Sequence, residues 1–284
     1  MIPILGKTIN YQDYTAAAVQ AHVVGWFNQP GHVKMSFNSA DDFTIDADML
    51  VMRSRGIKGI NFDWYGPESN TALTAMRLLN ACDRNGLAFS ICIDHGAIDN
   101  KHLTGAAADA EYIRIINFMA DAFFTWPAYL LDAGRAVVTF FNMGGGANIQ
   151  NIRTGVAGLA PKLALVSNGS SGLTAAGWDG GFGWVNPVGA GPTAVPTDIN
   201  LPSLNTFISA AAANPSKIAF YPTYPGFDDS AASWTPVGQK RIMSRRLGQT
   251  TLDTLALIPK SAKYAMLATW DDFEEQTATK YMQG

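Results

Sequence analysis

Short apolar runs alternate with longer amphipathic segments along nearly the whole chain, and the alternation repeats eight times. The runs are Val19–Phe27, Ile57–Trp64, Leu87–Ile93, Ala136–Asn142, Lys162–Ser167, Phe182–Val185, Lys217–Tyr221 and Tyr264–Trp270. Between them, apolar spacing predicts helices over Asp41–Arg55, Asn70–Arg84, Ala106–Phe124, Asn148–Gly158, Leu201–Ala213 and Val237–Ile258. Gly56 and Gly86 stand where a helix C-terminus wants glycine. Strands apolar along their whole length need cover on both faces, which a parallel sheet with crossover helices provides. Eight such units with no linker or low-complexity break predict an α/β fold, a single (β/α)8 TIM barrel forming one catalytic domain over residues 1–284. An open doubly wound sheet usually has fewer strands at this length, and no strong dinucleotide fingerprint follows the first run. The chain stops soon after its last carboxylates, so the eighth helix is expected to be short or missing, with closure by other means or by a further domain.

Composition narrows the function classes. Hydrophobic residues make up 48% and charged residues 15%, enough to fill a large core. The net charge is −3 and the only local basic cluster is Arg241, Arg245 and Arg246, so nucleic acid is not an expected partner. No apolar stretch reaches the roughly 20 residues of a membrane span, so no membrane partner is expected. The opening MIPILGKTINYQDY turns polar too early for a signal peptide, and the compartment stays open. Two cysteines, Cys82 and Cys92, make no disulfide framework.

In a barrel the active site lies at the C-terminal ends of the strands. Those ends carry Trp26, then Asp63, Trp64 and Tyr65, then Asp94 and His95, then Asn142. Trp184 follows the sixth run, Tyr221 and Tyr224 the seventh, and Trp270 closes the eighth. Aromatic faces stack on sugar rings while acids, amides and His bond the hydroxyls, so these are the candidate substrate-binding residues. A phosphate site would want glycines or basic groups after the last two strands, where tyrosines and acids stand instead. Gly144–Gly146 lacks the Lys-Ser/Thr that completes a phosphate loop and reads as a flexible turn. With four His in the chain and no HxH or HxxxH spacing, Asp94-His95 reads as a hydrogen-bonding pair, and neither a metal nor a cofactor is expected. Asp63 reads either as a carboxylate facing the cleft or as a turn acid before Gly66-Pro67.

The last run leads into TWDDFEEQT, which places Asp271, Asp272, Glu274 and Glu275 within five positions. Asp271-x-x-Glu274 and Asp272-x-x-Glu275 both satisfy a capping-box pattern, so a helix start is one reading. The other is a catalytic pair in which neighbouring charge keeps one carboxyl protonated. Position at the end of the eighth strand favours catalysis.

TWDDFEEQT resembles the strand-eight signature of the glycoside hydrolase family 71 and family 99 group of α-glycosidases. DADMLVMRSRGIKGINFDWYGP and AYLLDAGRAVVTFFN resemble that group's approaches to strands two and four. The resemblance implies a glycoside hydrolase that cleaves an α-linked polysaccharide of glucan or mannan type, endo-acting, with a secreted or extracytoplasmic location. It implies Asp272 and Glu275 as the catalytic pair, Glu275 as general acid and Asp272 as base, with Asp271 and Glu274 as neighbours that tune their proton affinity. Asp271 stands where the group usually has Asn, and Gln276 where Gly is common. Family 71 enzymes invert and family 99 enzymes retain, so stereochemistry does not follow. A non-catalytic carbohydrate-binding barrel and a metal-assisted hydrolase using Asp63, Asp94, His95 and the acid cluster remain as alternatives.

Overall fold

The computed structural model describes residues 9–24, 42–192, 196–232, 234–236, 238–272 and 274–279. Eight parallel strands close into a barrel: β1 Ala18–Val23, β2 Gly59–Trp64, β3 Ala88–Asp94, β4 Arg135–Phe141, β5 Leu163–Asn168, β6 Gly180–Phe182, β7 Ile218–Thr223 and β8 Tyr264–Leu267. Neighbours pair in chain order, and β8 returns to β1 with Ala18 opposite Tyr264. The crossover helices are α1 Asp42–Ser54, α2 Ala72–Asn85, α3 Ala106–Ala122, α4 Ile149–Gly155, the one-turn α5 Ser171–Thr174, α6 Leu201–Ala213 and α7 Gln249–Ala256. The left-handed Gly86 ends α2, with its N–H on the Asp83 and Cys82 carbonyls.

Alternation along the strands sorts side chains into two cores. Cys92, Val137, Val166, Phe182, Phe220 and Met266 come from six different strands yet form one cluster, which only the lumen allows. The residues alternating with the lumen positions, such as Phe62, Ile91, Val138 and Phe140, fall in the other core cluster, with residues of the helices. Above the apolar lumen sits a polar layer. Asn61 Nδ2 donates to Ser90 Oγ and Thr139 Oγ1, both at 2.9 Å, and Asn61 Oδ1 lies 3.2 Å from His22 Nδ1.

Three elements differ from the sequence reading. The sixth strand begins upstream of FGWV and ends at its Phe182, spanning Gly180–Phe182, because Gly180 lets it approach β7 closely. A Cβ on Gly180 would stand 2.1 Å from the Ile218 carbonyl oxygen. The segment expected as one helix from 237 to 258 is broken. Ile242–Met243 instead joins Pro196–Thr197 and Phe227–Asp228 in a small side sheet, and left-handed Gly248 precedes α7. Asp229 draws the chain out of helix by accepting from the Arg241 backbone N–H (2.6 Å) and its guanidinium (2.8 Å).

Among the described residues no helix follows β8. The chain doubles back instead, with Thr269 N–H on the Thr277 carbonyl and Thr279 N–H on the Thr269 carbonyl, both at 3.1 Å. Arg55 binds the Thr279 carbonyl, and Arg245 binds those of Gln276 and Ala278. The acids of TWDDFEEQT therefore occupy a clamped loop. Gly180→Ala is expected to lower unfolding free energy by about 1–3 kcal/mol in a urea titration, the cost of forcing atoms into a packed site. An unchanged midpoint would show that β6 can move off β7.

Candidate active site

The strand ends open into a cleft of about 560 Å³. β1 sends His22 into it, β2 sends Asp63 followed by Tyr65, β3 sends Asp94 followed by His95, and β4 sends Phe141. Trp184 comes from the segment after β6, Phe227 and Arg241 from the side sheet and its edge, and Asp272 and Glu275 from the clamped loop. The expected residues Asp63, Tyr65, Asp94, His95, Trp184, Asp272 and Glu275 thus share one cavity.

The other candidates lie elsewhere. Trp64, one residue past inward-facing Asp63, points out and packs on Phe118 and Phe123. Tyr221 lies edge-on to Phe207 of α6, and Tyr224 is buried with Leu204 and Met243. Trp270 is buried in the outer core with the Arg55 guanidinium 5.4 Å from its ring centre. Asn142 is exposed with φ 63° and does not line the cleft. Trp26 falls outside the described residues.

Within the acid loop each carboxyl has a distinct setting. Buried Asp271 accepts the Val24 N–H at 2.8 Å, tying the loop to the end of β1. Asp272 Oδ1 accepts the Glu275 N–H at 3.0 Å, and the Asp272 N–H donates to Thr269 Oγ1 at 2.9 Å. That is the capping contact expected of a helix start, formed here in a turn. Glu275 is held through its own carbonyl by the Asp228 N–H at 2.8 Å, and the Trp234 indole donates to its carboxyl. Glu274 is buried beside them.

Few positive charges reach this cleft. Arg241 lines it, but its guanidinium lies 2.7 Å from the fully buried Asp229 carboxylate. Burial therefore pushes Asp272 up to about 7, the Glu275 N–H working against it and the charges of Asp271 and Glu274 adding to it. Burial, then the Asp272 charge, pushes Glu275 up to about 8, with Arg241 opposing. Asp63 is driven well above the carboxylate range, by burial first and then by Asp94, Asp272 and Glu275. Burial also raises Asp94, against the pull of the Gly96 N–H that donates to it at 2.6 Å.

His22 completes the pattern. Burial holds its pKa down at about 4. With Asn61 Oδ1 accepting at Nδ1, the neutral ring presents the lone pair of Nε2 toward Asp63 Oδ1, 3.9 Å away. A lone pair on that side suits an Asp63 that keeps its proton. His22, Phe141, Phe227, Trp234 and Arg241 were not singled out in the sequence. Alternation along β1 and β4 is a signal for the first two, whereas Phe227 arrives on the short side sheet and Trp234 and Arg241 on irregular segments.

No protein-family model matches the sequence, and neither does any curated protein. Solved structures do. The GH99 endo-α-mannosidase from Bacteroides thetaiotaomicron, in complex with bis-tris-propane, matches with TM-score 0.69 at 14% identity, over 93% of this chain and 87% of its own. A second structure of the GH99 endo-α-mannosidase from that organism gives 0.68 at 13% over 95% and 88%, and a glycoside hydrolase-like protein gives 0.60 at 10% over 95% and 91%. The chain has the GH99-like (β/α)8 fold. At these identities the likeness is one of architecture, and the chemistry rests on the cleft itself.

Carboxyls that keep protons in the folded chain make stability depend on pH. Asp272 and Glu275 bind protons when folded at pH values where the unfolded groups, with ordinary values of 3.8 and 4.5, have released them. Their stabilising effect is full below the unfolded values and is lost as pH rises through about 8. His22 acts oppositely between about 4 and 6.5, where only the unfolded chain takes up its proton. The clear window is therefore pH 6.5 to 8, where the urea midpoint is expected to fall. Glu275→Gln should make that fall shallower, and equal slopes in the two proteins would contradict the raised carboxyl.

Proposed function

We propose that this chain is a glycoside hydrolase that cleaves an α-linked polysaccharide of glucan or mannan type at internal bonds. The observation that carries the reading is the meeting of Asp63, Asp94, Asp272 and Glu275 in one aromatic-walled cleft at the C-terminal mouth of the barrel. Glycoside cleavage needs one carboxyl to deliver a proton to the leaving oxygen and a second in ionised form. Burial raises both members of the loop pair, so either can hold a proton near neutral pH. Glu275 is proposed as the proton donor, and Asp272, whose carboxyl accepts the Glu275 N–H, as the base.

Asp63, Asp94 and His95 are proposed to bind sugar hydroxyls, with a protonated Asp63 donating. Trp184 and the half-exposed Trp234 supply apolar faces for the rings. The α-linkage and internal attack draw support from the endo-α-mannosidase neighbours, which share the fold. Asp271 and Glu274 are proposed to tune Asp272 through their charge.

Screening on a panel of α-linked polysaccharides, with product anomers followed by NMR, tests the reading. Activity is expected to follow a bell whose two limbs belong to the pair and lie above the ordinary carboxylate range, because burial raises both groups. Asp272→Asn and Glu275→Gln should each reduce turnover by about 10²–10⁴-fold while oligosaccharide binding persists. Full turnover in both variants would end the assignment. Loss of turnover on chelation would favour the metal-assisted alternative.

A further inference from the structure

A second cavity, of about 550 Å³, adjoins the first, and Trp184 and Val185 line both. It lies between the ends of β5, β6 and β7 and the first turns of α6. Asn168, Ser170, Ser203 and Thr206 supply polar atoms, and Phe207 and Pro222 supply apolar surface. Among the described residues none that lines it carries a charge, in contrast to the four acids and Arg241 of the neighbouring cleft.

That composition selects a ligand by elimination. A metal cation finds no carboxylate there. An anion finds no Lys or Arg, and the exposed start of α6 is already capped, since Asn200 Oδ1 accepts the Ser203 N–H at 3.3 Å. A wholly apolar ligand would strip water from amides and hydroxyls without replacing it. A neutral ring with hydroxyls on its edge and an apolar face satisfies both kinds of wall. Acid–base chemistry has no ionisable side chain there, so the cavity can bind but not cleave.

Trp184 is the partition. Its indole meets His22 edge-on at 4.7 Å and Phe141 at 4.9 Å on the cleft side, and its residue also forms part of the second cavity. We propose that the second cavity is a distal sugar-binding site, and that a glycan held in the catalytic cleft continues past Trp184 into it. The proposal rests on the glycosidase reading of the cleft and adds a reason for internal attack. A chain filling both cavities is gripped along its length rather than by one end.

The test uses the full chain carrying Glu275→Gln, titrated by calorimetry with α-linked manno- and gluco-oligosaccharides of increasing length. Affinity is expected to rise by about tenfold once the chain is long enough to pass Trp184, equivalent to about 1.4 kcal/mol. Adding Thr206→Trp, at an exposed helix position on the cavity's rim, should abolish that gain and leave short-chain affinity unchanged. Asn168→Leu on the opposite wall should do the same, which guards against one variant failing to fold. An equal length gain in both variants, no gain with length in the parent, or no binding at any length would each overturn the site. Turnover by the unmodified chain is scored separately. Hydrolysis without a length gain removes only this site, whereas a length gain without hydrolysis removes only the catalytic reading.

Discussion

Taking carboxyl groups out of water without enough positive charge to meet them is the condition to which the rest of this structure answers. A buried carboxylate is costly unless paired, and where pairing is missing the group keeps its proton instead. Asp63, Asp94, Asp272 and Glu275 face one cleft, and the guanidinium lining it is committed to Asp229. Two other arginines approach the acid loop, and Arg55 and Arg245 bind its backbone carbonyls. They fix the loop's shape.

The barrel below supports this arrangement with neutral polar groups. Asn61 is held by Ser90 and Thr139, which orients its oxygen toward His22 and leaves the His22 lone pair for the Asp63 side. A charged residue in that layer would change the proton balance above it. At the opposite end of the barrel the logic reverses. There Asp132 meets Lys263 at 2.6 Å and Tyr264 at 3.1 Å, and Asp179 meets Arg135 at 2.9 Å and Arg153. Paired charges close one end and under-compensated ones open the other, the usual division between the stabilising and reactive faces of this fold.

The barrel was legible because buried parallel strands leave continuous apolar runs, and most of them lie where the runs do. β6 was misplaced since Gly180 and Gly181 look like a turn, although the lack of a side chain on Gly180 is what lets β6 meet β7, and Gly181 leaves room for Gly169 and Leu173. The segment from 237 to 258 has helical spacing, but the bond between Asp229 and Arg241 spans a sequence separation that no local pattern reveals. The candidate site was legible by alternation and blurred by it too. Asp63 and Asp94 face inward, while Trp64, one position further on, must face outward and joins the helix-side core. Trp234 and Arg241 reach the cleft on irregular segments with no period to read.

The acid run itself admitted two readings, a helix cap and a reaction centre, and the structure carries a contact that belongs to the first. The capping hydrogen bond exists, from the Glu275 N–H to Asp272, yet a turn rather than a helix carries it. A backbone donor aimed at one carboxyl stabilises its ionised form. Asp272 has that donor, whereas Glu275 has the Trp234 indole and bears the Asp272 charge beside it. The same bond therefore ties the two groups together and works against the rise of one of them, while burial raises both.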